Sequence, residues 1–191
     1  LPARAQVAQP DISEPPQLSE KRKSYVDPLA PRPGLAVAWH VPERGTPEHY
    51  AFGLLDEILL QGEDSALWQK LVQERGYSSG VAGGINLLGN MFNYEGPMLW
   101  TLYLVHDPNV APDAILADID TEIARLQNAP PTQAELDRAL TKIRAELYDI
   151  AGSSNRFGLV DLLAAFSLFD DDPTRINRIE SEFRAIKPEK V

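Results

Sequence analysis

The sequence predicts an α+β fold: a layered domain in which a mostly antiparallel sheet packs against several helices. Three observations support this prediction. Alternating apolar residues indicate strands at residues 34–41, 77–87 and 96–106. Apolar residues spaced three and four positions apart indicate helices between and after these strands. The chain has 191 residues, of which 43% are hydrophobic, and this is enough to form the core of one domain.

The chain opens with a segment whose composition differs from the rest. Residues 1–24 contain four prolines among polar residues, so we expect a flexible linker there and a domain over residues 25–191. In that domain Pro42 ends the first strand. The next helix begins at Pro47, with Thr46 as its N-cap.

The remaining helices are marked by their caps. Residues 65–75 indicate a short helix that ends at Gly76. Thr132 and Glu135 form a capping box before a long apolar stripe that ends at Gly152. Other helices are predicted at residues 112–127, 155–169 and 173–185, with Asp172 as the cap of the last.

Charge and composition exclude several classes of partner and site. There are 28 acidic and 18 basic residues, a net charge of -10, which argues against binding nucleic acid or anionic lipid surfaces. The chain contains no cysteine, so it has neither disulfides nor thiolate zinc sites. The most apolar stretch, residues 157–169, is too short to span a membrane.

No catalytic or metal-binding constellation is predicted. His40, His49 and His106 lie on separate elements and fit neither His-x-x-Glu-His nor His-Glu-x-x-His spacing. The nucleophile motif Gly-x-Ser-x-Gly is missing from the sequence, and the glycines at residues 80–84 do not precede a Gly-Lys-Ser/Thr sequence. The acids at 170–172 are expected to cap a helix rather than to bind calcium.

One face of the predicted strand at residues 77–87 carries almost no side chains. Such a face leaves room for an extended peptide, which adds to a sheet through main-chain hydrogen bonds. Close packing beneath a helix selects small residues equally well, and this alternative stays open. The candidate substrate-binding residues on this face are Ser78, Gly80, Ala82 and Gly84.

Five segments together resemble one family, the pitrilysin/insulinase-type zinc peptidases and their mitochondrial processing peptidase relatives. Residues 62–77 are similar to the family pattern Gly-x-x-Ser-x-Leu-x-x-x-Leu-Arg-Glu-x-x-Gly, which ends a helix before a strand of small residues. Four weaker matches flank it in the expected order, and the resemblance runs from about residue 14 to the end. These matches lie at residues 15–22, 42–60, 131–139 and 186–191.

The resemblance implies a larger enzyme of duplicated α+β domains. In this family the zinc site, His-x-x-Glu-His with a downstream Glu, lies in the N-terminal domain, so we expect zinc there and none in this chain. The chain is then a C-terminal domain, truncated at its C-terminal end, that forms half of the substrate chamber without being catalytic. The expected partners are the N-terminal zinc domain, a second subunit of the same family and a peptide substrate. The expected location is the bacterial periplasm.

One departure from the family pattern bears on these expectations. In many members an Arg and a Tyr of the C-terminal domain contact the substrate backbone. Alignment of residues 71–81 without gaps puts Val72 and Ser79 at those two positions. Loss of the pair fits the zinc-bearing subunit of a two-subunit peptidase, whose partner supplies the Arg and Tyr. It also fits a degenerate relative that serves only as a scaffold.

Overall fold

Three strands form one antiparallel sheet in the order β1-β3-β2, with β3 in the centre. The computed structural model describes residues 17–152 and 157–191. Residues 31–191 form one compact unit, and residues 17–30, a separate part of the chain, contain neither helix nor strand. The predicted linker boundary at residue 24 stays a prediction, and its first sixteen residues lie outside the described part.

The elements follow the predicted order of strand, two helices, two strands and then helices. Short 3₁₀ turns at Pro173–Asn177 and Pro188–Lys190 flank the last helix. The strands are β1 (Gly34–His40), β2 (Ala82–Ile85) and β3 (Leu99–Val105). The helices are α1 (Pro47–Leu59), α2 (Ala66–Trp68, continuing as a π-helical turn over Gln69–Glu74), α3 (Pro112–Asn128), α4 (Gln133–Gly152), α5 (Phe157–Phe169) and α6 (Ile179–Arg184).

The predicted caps at Thr46, Thr132 and Gly76 are confirmed, whereas Asp172 caps the 3₁₀ turn Pro173–Asn177 and the last helix begins only at Ile179. Thr46 Oγ1 accepts a hydrogen bond from the His49 backbone N–H at 3.2 Å, which starts α1. Thr132 Oγ1 accepts from the Glu135 N–H, and the Glu135 carboxylate accepts from the Thr132 N–H at 2.8 Å. Gly76 adopts φ +62°, a left-handed conformation that ends the second helix.

A strand is present within the predicted range of residues 77–87, but the predicted length is wrong, because β2 spans only Ala82–Ile85. Gly83 and Gly84 have φ values of +150° and +139°, which interrupt the regular alternation of side chains. A Cβ at Gly83 would lie 1.9 Å from the Thr101 carbonyl oxygen, so only glycine fits there. Ser78 forms an isolated bridge with His106, outside the named strands.

The two faces of the sheet differ in what covers them. Trp100, Leu102 and Leu104 of β3 are buried in the core, on the face against which the helices pack. In the described residues, no helix is long and apolar enough to cross a membrane. Buried side chains contributed by the helices include Leu54, Leu67, Leu71, Ile115, Ile119, Phe166 and Phe183.

Candidate functional site

The sheet has an open face, which we call the outer face. On β3 it carries Leu99, Tyr103 and Val105, which are 42%, 46% and 51% exposed although β3 is the central strand. The register pairs small residues with them on both neighbours: Ala36 of β1 and Ala82 of β2 both lie opposite Tyr103. The outer face is therefore a largely apolar surface. Its residues are Ala36, Ala38, His40, Ala82, Leu99, Thr101, Tyr103 and Val105.

The four candidate substrate-binding residues do not form one bare face. Ala82 is exposed on the outer face. Ser78 is buried, and its hydroxyl lies 2.7 Å from the carbonyl oxygens of Gly80 and Val105, where it holds the chain together. Gly80 lies against the ring of Trp68 in the second helix. Their binding of substrate stays a prediction.

Gly84 lies beside a cavity of about 380 Å³ at the edge of the sheet. A Cβ at Gly84 would sit 3.2 Å from Gln61 Nε2 and 3.6 Å from Asp56 Oδ2. Ala82 and Tyr103 also line the cavity, so it is continuous with the outer face. We call it the acidic cavity, since its lining includes Asp56, Glu57 and Glu146 together with Gln61, Gly53, Met91, Ile143, Leu147 and Phe183.

Asp56 is the hydrogen-bonded carboxylate of this cavity. The Trp100 indole donates to Asp56 Oδ1 at 2.6 Å, and the Gln61 amide lies 3.1 Å from Oδ2. Burial raises the pKa of Asp56 to about 6, although both donors work against it. The same Gln61 amide donates to the Gly83 carbonyl oxygen at 3.2 Å and so ties the end of α1 to β2.

Glu57 is the buried carboxylate of this cavity that has no hydrogen-bond partner among the described residues, whereas Glu146 is exposed. The residue is 8% exposed, and among the described residues no hydrogen bond or ion pair reaches its carboxylate. Burial raises its pKa to about 8, with the charges of Asp56 and Glu146 adding to the effect. The charge of Lys142 lowers the pKa of Glu57, but the Lys142 ammonium donates to the Gln61 carbonyl at 2.7 Å and pairs with Asp64.

The histidines do not assemble a metal site. His40 is exposed at the end of β1, whereas His49 and His106 are buried. The His106 ring bonds the Asp107 carbonyl through Nδ1. In residues 17–152 and 157–191, no three His, Asp or Glu side chains are grouped so that they can hold a metal ion.

The two positions of the missing Arg and Tyr lie at the end of the second helix. Val72 is half-buried, and Ser79 is exposed. Arg75 makes a bidentate pair with Asp118, with Nε–Oδ2 and Nη2–Oδ1 distances of 2.9 Å. Its guanidinium is bound to α3, which disfavours Arg75 as a replacement for the missing arginine.

Sequence reasoning missed the acidic cavity, although one signal was present. Glu57 lies three positions after Leu54, on the same apolar stripe of α1 that enters the core. An acid on such a stripe is unusual, because burying an unpaired charge is costly. Gln61 and Glu146 carried no comparable signal, since only the folding of the chain brings α1, β2 and α4 together.

A family model identifies the family, and several solved structures share the fold. The family model described as the peptidase M16 inactive domain matches residues 1–143. No match was found among curated proteins. Among solved structures, a protease from Helicobacter pylori shares the fold with a TM-score of 0.67 at 21% identity; the aligned part covers 82% of this chain and 36% of that one.

Two further structures share the fold. One is described as the inactive peptidase domain of a "putative zinc protease" from Bordetella parapertussis; its TM-score is 0.67 at 22% identity, covering 82% of this chain and 80% of that one. The other is the periplasmic protease PqqL from Escherichia coli, with a TM-score of 0.55 at 14% identity, covering 82% of this chain and 16% of that one. With the α+β fold, the antiparallel sheet and the family match in agreement, the chain belongs to the peptidase M16 inactive domain family.

Proposed function

We propose that this domain is a non-catalytic wall of the substrate chamber of a zinc-dependent metalloendopeptidase. The outer face is the observation that carries the proposal. Its central strand exposes Leu99, Tyr103 and Val105, while helices pack on the other face. An extended peptide lying on such a surface contacts apolar side chains without meeting bulky neighbours. Ala82 lies at the rim of this surface, where β2 is the edge strand.

The chemistry of peptide hydrolysis belongs elsewhere in this proposal. The zinc ion and its His-x-x-Glu-His ligands lie in an N-terminal domain of the same parent protein, and this domain positions the peptide across from them. A zinc ion supplies a polarised carbonyl and an activated water. The family and the Bordetella parapertussis domain, which is itself described as inactive, support this division.

A second subunit of the same family completes the chamber. Val72 offers no hydrogen-bond donor, and the Ser79 hydroxyl is shorter than that of a tyrosine. Arg75 is held by Asp118, so it does not supply the missing guanidinium. The proposed parent is thus the zinc-bearing partner of a pair. We place it in the bacterial periplasm, as the fold shared with periplasmic PqqL supports.

The test is to place a bulky side chain on the outer face and to measure the cleavage of peptides. In the full-length parent with its partner, Ala82→Trp is expected to reduce the cleavage of a fluorogenic peptide library at least tenfold, because the indole occupies the space of the peptide. The matched control is Ala114→Trp at an exposed position of α3. Both variants should keep the melting temperature of the parent protein within about 2 °C.

Two outcomes would overturn the chamber proposal. One is full cleavage activity in Ala82→Trp, which would show that no peptide uses this surface. The other is a parent whose N-terminal domain lacks His-x-x-Glu-His, which would favour the scaffold function left open by the absence of the Arg and Tyr pair at Val72 and Ser79.

A further inference from the structure

We propose that the acidic cavity binds a basic side chain, lysine or arginine, of a peptide that lies on the outer face. This inference rests on the proposed chamber function and adds a substrate preference to it. The cavity has the volume of a side-chain or ligand pocket, about 380 Å³. It opens beside Ala82 and Tyr103, so a side chain from a peptide on the outer face can enter it.

The charges of the cavity are unbalanced. Its lining includes the carboxylates of Asp56, Glu57 and Glu146, and among the described residues that line it there is neither lysine nor arginine. The charge of Lys142 acts on Glu57 and lowers its pKa, but the Lys142 ammonium already binds Asp64 and the Gln61 carbonyl. A bound cation would therefore be attracted without having to displace an existing one.

The second observation is the state of Glu57. A side chain of a residue that is only 8% exposed normally has a hydrogen-bond partner. Glu57 lines the cavity, and among the described residues no hydrogen bond reaches its carboxylate. Its oxygens are not fully buried, so they remain accessible to a ligand. Asp56 differs, because its Oδ1 is already bonded by the Trp100 indole.

The remaining walls select the kind of cation. Met91, Ile143, Leu147 and Phe183 contribute apolar surface to the same cavity. A long basic side chain satisfies both features, since its methylene groups pack on apolar walls while its charged end reaches the carboxylates. A divalent metal ion would gain nothing from apolar walls, and no group of metal-ligating side chains forms within the described residues.

The binding experiment compares charged and neutral versions of one peptide. Calorimetric titration of the protein at pH 8 uses acetyl-Ala-Ala-Ala-Arg-Ala-Ala-Ala-amide and the same peptide with citrulline, the uncharged analogue of arginine. Burial raises the pKa of Glu57 to about 8, so at pH 8 a proton competes less with the peptide for the carboxylate than at lower pH. The charged groups that act on Glu57 are Asp56, Glu146, Lys142 and Asp64. We expect the arginine peptide to bind at least about tenfold more tightly, as for a charge-assisted hydrogen bond.

Variants then test which carboxylate is responsible. Glu57→Gln keeps the shape of the side chain and should reduce the preference for arginine to about threefold or less. Asp56→Asn should reduce it as well, and Trp100 emission should respond to the arginine peptide because the indole touches Asp56. Glu63→Gln is the matched control at an exposed position outside the cavity, and it should keep the full preference.

The outcomes separate this inference from the chamber proposal. Equal binding of the arginine and citrulline peptides would overturn the inference and leave the chamber proposal standing. Failure of both peptides to bind at millimolar concentration would count against both. Methylguanidinium binding as tightly as the arginine peptide would show a site for small cations and would overturn the peptide part of the inference.

Discussion

Two clusters of buried charge lie at opposite ends of α1, and they differ in how the charges are paired. At the N-terminal end, Asp170 accepts hydrogen bonds from Arg44, with Nη–O distances of 2.9 and 2.6 Å, and also from Arg175. We call this the paired cluster. At the C-terminal end, the acidic cavity contains Asp56 and the unpartnered Glu57.

The comparison shows that burial alone does not decide what a carboxylate does. Burial acts to raise the pKa of Asp170, but the guanidinium groups of Arg44 and Arg175 outweigh it and hold the pKa below its ordinary value. Among the described residues no guanidinium or ammonium group bonds the carboxyl of Glu57, the charge of Lys142 does not outweigh burial, and the pKa rises to about 8. The paired cluster therefore connects distant parts of the chain, whereas the acidic cavity retains an unmet attraction for a cation.

The largest expected effect comes from removing the charge of the paired cluster. Asp170→Asn leaves Arg44 and Arg175 sharing one neutral acceptor in a site where the side chains are about nine-tenths buried. We expect a loss of about 3–5 kcal/mol in the free energy of unfolding, as for other broken buried ion pairs. Urea denaturation at pH 7 measures it.

The neighbouring residue provides the control. Asp171 is exposed and has φ +57°, a conformation that asparagine tolerates. Asp171→Asn should change the free energy of unfolding by less than about 0.5 kcal/mol. Equal losses in the two variants would show that the loop, rather than the ion pairs, is sensitive to substitution.

Much of the fold followed from the sequence, because its signals are local. The caps at Thr46 and Thr132 and the alternation along β1 depend on residues a few positions apart. β2 was predicted too long, since the φ values of Gly83 and Gly84 arise from the close approach of β3. A pattern of small residues cannot distinguish an open strand face from a tight backbone contact.

The two charge clusters could not be predicted from the sequence, for a related reason. Arg44 and Asp170 are 126 positions apart, and no spacing rule connects them. The acidic cavity needs α1, β2 and α4 to meet. Only Glu57 was conspicuous in the sequence, because an acid on a buried helical stripe must find a partner or pay for its burial. Only the folded structure shows whether Glu57 has a partner.

The second effect is the opposite of the first, since removing a charge from the acidic cavity should stabilise the protein. The ordinary pKa of Glu57 is 4.5, and the folded value is about 8. The folded state therefore binds more protons between these values, and the protein loses stability as the pH rises from 4.5 to 8. Glu57→Gln removes this loss and should raise the free energy of unfolding at pH 8 by about 1–3 kcal/mol.

The pH dependence distinguishes this effect from a change in packing. At pH 4 the wild-type carboxyl is protonated in both states, so Glu57→Gln should have almost no effect there. Urea unfolding curves at pH 4, 6 and 8 give the profile, with Glu63→Gln as the exposed control. A gain of the same size at every pH would contradict the view that Glu57 carries an unpaired charge.

The smallest expected effect concerns His49, which lies next to the paired cluster. Burial, together with the positive charges of Arg44 and Arg175, lowers its pKa from 6.5 to about 4. The unfolded chain therefore takes up a proton that the folded protein refuses until the pH falls to about 4. Its contribution to stability is complete above pH 6.5 and is lost as the pH falls from 6.5 to 4.

His49→Phe should remove this loss, so the difference in free energy of unfolding between variant and wild type should shift by about 1–2 kcal/mol in favour of the variant between pH 6.5 and 4. The variant also loses the hydrogen bond from the Gly45 N–H to His49 Nδ1, at 3.3 Å. Losing this hydrogen bond changes the free energy of unfolding by the same amount at every pH. The dependence of the difference on pH therefore measures the proton uptake of His49.

Taking the difference between variant and wild type cancels the titration of Asp56 and Glu57, which are present in both proteins. His40→Phe, at the exposed end of β1, should leave the slope unchanged. A slope unchanged in His49→Phe would mean that the paired cluster does not exclude a further positive charge, and the contrast between the two ends of α1 would then rest on the carboxylates alone.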